Sequence, residues 1–208
     1  MVLKSIFTVF SAFGLLSQST AQEAKLWTEA DRKYLIDNLI RTKSELCSAT
    51  NNLTEKQWRF KESPEKWSIN QVVEHIAIYE LMFQRQITQT LASGARPELN
   101  KLAKADSTYL NYVLDPQPRL TTEFTKPFSY ADPMGLNDGE NNMAWFVKMR
   151  NESIAYLHAT SDDLRSFYLT TERPNVHQLY LWTFGHVDRA LRQINRIKQH
   201  GDYPSSNK

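Results

Sequence analysis

Ser68 and Gln71 stand three residues apart at the head of an apolar pattern, and this pair fixes a helix start more firmly than any other point in the chain. The Ser68 hydroxyl can accept an N–H of the first helical turn while the Gln71 amide reaches back to the N–H of residue 68, a reciprocal cap. Beyond it Val72, Ile76, Tyr79 and Phe83 recur at three- and four-residue spacing, one apolar stripe of an amphipathic helix. The helix is expected to run to about Ala92 and to stop before Ser93-Gly94, where glycine accepts a left-handed cap. His75 lies beside the stripe, one turn after Val72 and one turn before Tyr79. An imidazole aimed into a bundle needs partners for its ring nitrogens, and a metal ion is one candidate.

Three more long helices can be read around this one. Thr28 with Asp31 forms a second capping pattern, and Leu35, Leu39 and Leu46 keep helical spacing to about Ala49. Asn51-Asn52 ends that helix, and Thr54 opens a single short turn through Trp58. Phe60 to Lys66 is a loop, because Pro64 disfavours helix at Ser63. The third long helix starts near Gly139-Glu140, carries Met143, Phe146, Val147, Arg150, Ile154 and Leu157, and ends around Ala159. After an irregular piece through Phe167, Tyr168 and Leu169, Asn175 caps the fourth, which carries Leu179, Trp182, His186, Ala190, Ile194 and Ile197. Residues 95–138 show no sustained period, with Thr122 to Thr125 as a short extended piece. A connection of that length hides short helices or carries a site. The fold class is therefore all-α, an antiparallel four-helix bundle with a long crossover between helices two and three. By composition the chain beyond Gly201, with Pro204 and two serines, is expected to be mobile.

Composition narrows the address and the partners. The 208 residues, 41% hydrophobic and 23% charged, suit one domain with a single core. Lys4, the short apolar run from Ile6 to Leu16 and Ser19-Thr20-Ala21 have the layout of a secretory signal, with cleavage after Ala21. The run falls short of the roughly 20 apolar residues of a spanning helix, so no stable membrane insertion is expected once residues 1–21 are removed. An exported chain, periplasmic or extracellular, is the expectation; a retained N-terminal anchor is the alternative. Removal of 1–21 takes away Lys4 alone and leaves 24 basic against 23 acidic residues, a balance that points to no nucleic acid partner. Cys47, the only cysteine, excludes an internal disulfide and reads as a small core filler. There is no G-x-S-x-G elbow, no H-E-x-x-H pair and no C-x-x-C, which removes the common hydrolase, zincin and redox patterns.

On the fourth helix, Trp182-x3-His186-x2-Arg189-Ala190-x2-Gln193-Ile194 stands with Trp67-Ser68-Ile69 and His75 of the second helix. Leu53-Thr54-x2-Gln57-Trp58-x-Phe60-Lys61 and the closing Gly201-Asp202-Tyr203-Pro204 complete the set. Together these resemble the DinB-like superfamily, which includes the bacillithiol-transferase-like proteins, over about residues 27–204. With the signal-like segment and the tail composition, the chain is expected to divide into a signal peptide (1–21), a DinB-like four-helix bundle domain (22–204) and a mobile tail (205–208). The resemblance also implies a divalent metal, zinc, nickel or manganese, held by one histidine of helix two and an H-x3-H pair of helix four. Carried over residue by residue, His75 matches the first ligand and His186 the second. The third falls on Ala190, which has no lone pair to give.

Residues four apart on a helix project about 40 degrees from each other, whereas Asp188 and His177 point well away from His186 and Glu74 is rotated about 100 degrees from His75. No easy substitute for the third donor is therefore at hand on those faces; Asp138, Glu140 and Glu152 are carboxylates that the crossover or helix three could bring. Two imidazoles alone make a weak divalent site, since catalytic ions usually keep three protein ligands. The expected function is thus an exported DinB-like domain protein with a degenerate or variant metal or ligand pocket around His75 and His186, its catalytic residues unknown. One alternative is a divalent-metal-dependent thiol transferase or hydrolase with a third ligand from elsewhere. Another is a non-catalytic interaction module that forms a homodimer. A metal-free pocket that binds a small-molecule ligand remains open, as does structural use of the histidines. Arg189 and Arg192, near His186, are candidates for an acidic ligand group or simply solvated.

Overall fold

The structure, a computed structural model, describes residues 26–115, 132–135, 137–170 and 174–205. The signal-like segment 1–21 and the extended piece expected at Thr122–Thr125 lie outside the described residues. Among the described residues six α-helices follow in order: α1 (Glu29–Thr50), α2 (Glu55–Arg59), α3 (Ile69–Ala92), α4 (Asp106–Leu114), α5 (Gly139–Ala159) and α6 (Val176–Lys198), with a 3-10 helix at Pro97–Leu102. Among the described residues no strand forms, only the isolated bridges Ala95–Phe167 and Tyr168–Asn175. Also among them, no helix is long and apolar enough to cross a membrane.

The helix starts are set locally. Thr28 with Asp31, Thr54 with Gln57, Ser68 with Gln71 and Asn175 with Gln178 all close reciprocal capping boxes, each satisfying two N–H groups that a helix start would leave open. α1 ends at Asn51, followed by Asn52 in the left-handed region at φ 54°, which asparagine tolerates. α3 ends at Ser93, followed by Gly94 at φ 85°.

Side-chain pairs give the direction of each long helix. Asn70 meets Asn142, Glu80 meets Arg150 and Gln84 meets Ser153, so α3 and α5 run parallel. Arg41 meets Asp188 and Lys198 meets the carbonyl of Ala49, so α1 and α6 also run parallel. Arg32 reaches Thr160 while Thr42 meets Arg150, which sets α1 antiparallel to α5. It follows that α3 is antiparallel to α6. α1 and α3 each pack on both α5 and α6, so α1 stands diagonally across from α3, and α5 from α6. A parallel α3–α5 pair requires the long crossover, because the chain must return along the bundle before α5 begins.

The core is split in two. One half gathers Leu46, Ile69, Val73, Phe146, Ala190 and Ile194 among others; the other gathers Leu35, Leu39, Ile87, Leu157, Leu179 and Phe184. Between them lies a polar layer around Arg150, which is 0% exposed. Its Nε donates to Glu80 Oε1 at 2.7 Å, and Nη2 to Glu80 Oε2 at 2.8 Å and the Thr183 carbonyl at 3.4 Å. Nη1 donates to Thr42 Oγ1 at 2.7 Å and the Leu39 carbonyl at 3.2 Å. All five guanidinium N–H groups therefore have an acceptor, drawn from α1, α3 and α6.

α4 runs along α6. Val113 rests on Gly185, where any Cβ would overlap the valine Cγ1. Gly139 likewise lies flat against the indole of Trp58. The chain end is not loose as far as Pro204: Gln57 Nε2 donates to the Pro204 carbonyl at 3.0 Å and Tyr203 packs edge-on against Phe60. The expected mobility beyond Gly201 is corrected there, because α2 supplies a donor in Gln57 and the residue that caps its end, Phe60, supplies a ring.

Candidate functional site

α3 and α6 bring His75 and His186 together. Their ring centroids are 5.1 Å apart with the planes at 74°, and both side chains are half-buried. The capping box at Ser68 sets the phase of α3, and the box at Asn175 sets that of α6. Each therefore presents its histidine to the same seam.

Aromatic rings enclose the pair. Tyr79 lies edge-on to both, 4.7 Å from His75 and 4.3 Å from His186. Trp67 stands 4.7 Å from His75 on one side, and Phe83 lies 6.4 Å from His186 on the other. Burial pushes His186 well below the usual histidine range, helped by the neighbouring His75 and Arg189, because charging an imidazole there would strip it of water. His186 is thus a neutral ring with a lone pair. Burial raises Tyr79, with Tyr112 and Asp132 adding to the effect.

The carboxylate of Glu74, 5% exposed, accepts the N–H of Met134 at 2.9 Å and that of Gly135 at 2.8 Å. Glu74 therefore holds the end of the crossover and is not offered to His75.

Ala190, at the third position, is 5% exposed and packed in the core. No other side chain completes the set: among the described residues no group of three or more His, Cys, Asp or Glu could hold a metal. Asp188 is drawn off by Arg41, Nη1–Oδ1 2.8 Å and Nη2–Oδ2 2.9 Å. His177 accepts from the Trp27 indole at 3.2 Å and faces Asp106 at 3.3 Å, at the N-terminal end of α6. Asp138 caps α5 through the N–H of Asn141 at 2.8 Å and, with Glu140, borders a separate recess beside Trp58; Glu152 is exposed. The donors present do not fit a three-ligand divalent centre.

Arg189 and Arg192 have a structural use. They donate to the carbonyls of Asp115 and Leu114 at 3.1 and 2.9 Å, closing the C-terminal end of α4, where the helix dipole favours positive charge. Trp182 sits between Tyr109 and Tyr112 of the same helix. Cys47 is half-buried on α1. That Tyr112 and Asp132 act electrostatically on Tyr79 was not legible in the sequence, because both lie in the region without period.

The sequence profile of the DinB superfamily matches residues 38–194. A solved structure similar to this chain is that of YfiT from Bacillus subtilis, described as a probable metal-dependent hydrolase with an unusual four-helix bundle topology. It is 12% identical, with a TM-score of 0.51 over 85% of this chain and 91% of that one, a likeness that shows the fold. No curated protein matches the chain. With the profile spanning most of the bundle, the chain belongs to the DinB superfamily.

Proposed function

We propose that this is an exported DinB-superfamily protein whose pocket around His75 and His186 is a variant of a metal site, lacking the third donor and adapted to structure or to a small-molecule ligand. The observation that carries this reading is the meeting of the two imidazoles 5.1 Å apart beside a core-packed methyl group at Ala190. Two imidazole nitrogens bind a divalent ion weakly, where three protein ligands are usual. Tyr79 supports the same view, since its ring lies against both histidines. Export is supported by the run from Lys4 to Ala21.

Metal analysis of the purified protein tests the proposal. The natural chain is expected to carry no stoichiometric zinc, nickel or manganese, and Ala190→His to bind about one ion per chain. Loss of that ion in Ala190→His with His75→Ala would place it at this pocket, with circular dichroism confirming the fold. A full equivalent in the natural chain that disappears in His75→Ala would overturn the proposal. A folded Ala190→His that binds nothing would do the same by removing the helix-six correspondence. N-terminal sequencing of the exported protein is expected to begin at Gln22.

A second reading, a metal-dependent hydrolase with a third ligand from elsewhere in the chain, draws support from the description of YfiT. In that case the natural chain would hold an ion that His75→Ala releases.

A further inference from the structure

The two imidazoles that do not complete a divalent centre are still spaced to share one ion. With a metal–nitrogen distance of about 2 Å, an ion bound by both rings lies about 3.2 Å from each ring centre, and centres 5.1 Å apart then subtend about 105° at it. That is a bent pair with a coordination position to spare. Tyr79, 4.3 Å from His186 and 4.7 Å from His75, and Trp67, 4.7 Å from His75, brace the rings at this spacing.

The charges around the pair decide which ion suits it. Glu74 is spent on the N–H groups of Met134 and Gly135, and Asp188 on Arg41. Arg189 acts on His186, and the exposed Asp132 on Tyr79, with opposite signs. Among the described residues no net negative charge is therefore left to offset a dication in this half-buried seam. The cost of taking an ion out of water grows with the square of its charge, so a monocation is much the easier guest. The faces of the surrounding rings carry partial negative charge and favour a cation. Imidazole is a copper ligand, and the filled d shell of Cu(I) is satisfied by two or three donors, whereas zinc usually keeps four.

We propose that His75 and His186 form a two-histidine site for a soft monovalent ion, Cu(I), in place of a three-donor divalent one. The assignment rests on the reading of this pocket as a metal site without its third donor, and it names the ion that such a pair retains.

Anaerobic titration of the whole protein with Cu(I), in competition with the chelator ferrozine, is the test. The natural chain is expected to withdraw about one ion from the chelator. His75→Ala and His186→Ala should each abolish the withdrawal, with circular dichroism confirming the fold. Cys47→Ser should leave it unchanged, because that thiol belongs to α1 and not to the pair. Ag(I), of the same charge and shell, gives a readout that needs no variant: it should shift the ring signals of His75 and His186 and leave His158, His177 and His200 unmoved. No withdrawal by the natural chain, equal withdrawal in either histidine variant, loss in Cys47→Ser, or silver shifts confined to the other histidines would each overturn the assignment. If copper fails and zinc is also not held, the variant-site reading stands and this assignment alone falls. An equivalent of zinc held through His75 would overturn both.

Discussion

Arg150 and Glu80 face each other as a bidentate pair, Nε–Oε1 2.7 Å and Nη2–Oε2 2.8 Å, with side chains 0% and 2% exposed. The pair joins α5 to α3 between the two halves of the core. Thr42 and the carbonyls of Leu39 and Thr183 tie it to α1 and α6. Taking such charges out of water is costly, so the pair contributes more to the register of the four helices than to their net stability.

Removing one partner should therefore do more harm than removing both. Arg150→Met or Glu80→Leu alone leaves a buried charge and is expected to cost about 3–5 kcal/mol. The double variant should recover most of that loss. Equilibrium urea unfolding of the four proteins measures it, and additive losses in the double variant would contradict the account.

Stability should fall in mildly acidic solution. His186 is held neutral in the fold below its usual value near 6.5, so below about pH 6.5 the unfolded chain binds one proton more. Its contribution is complete above the unfolded value and is lost as pH drops toward the folded one, with a slope approaching about 1.4 kcal/mol per pH unit. The lowered carboxylates of Asp31, held by Arg165, and of Asp106, held by His177 and then Arg165, both against the opposing effect of burial, contribute above about pH 4 and lose stability only as pH falls below it. Unfolding measured from pH 7 to 5 should show the slope, and His186→Gln should flatten it. An unchanged slope in that variant would remove His186 as its source.

Gly185→Ala should loosen α4. The added methyl would overlap Val113 Cγ1, and overpacking of this kind costs about 1–3 kcal/mol. Val113→Ala in the same chain should restore part of the loss by vacating the contact. Hydrogen exchange across residues 106–114 offers a second measure, with faster exchange expected in Gly185→Ala alone. Equal stability of Gly185→Ala and the natural protein would refute the close approach.

Much of the frame could be read in advance because it is local. Thr28, Thr54, Ser68 and Asn175 act on N–H groups within three residues of themselves, so their helix starts needed no knowledge of neighbours. The resemblance to the DinB-like superfamily, not helix phase, set His75 beside His186, and their rings lie 5.1 Å apart. Other features depend on distant partners. Arg150 stood in an apolar rhythm with Phe146, Ile154 and Leu157, a signal that it faced the core, but nothing local named Glu80. Arg189 and Arg192 could equally have served a ligand, until the end of α4 was found beneath them.

The order of residues alone determined the all-α class and the capped starts of α1, α3 and α6, because hydrogen bonds across one turn and the helical repeat are properties of short stretches. Only the tertiary structure decided that α1 and α3 stand on a diagonal, that Glu74 anchors the crossover, and that Asp188 and His177 serve Arg41 and Trp27. Those choices are made between groups far apart in the chain, where burial leaves each charge or donor a single place to be satisfied.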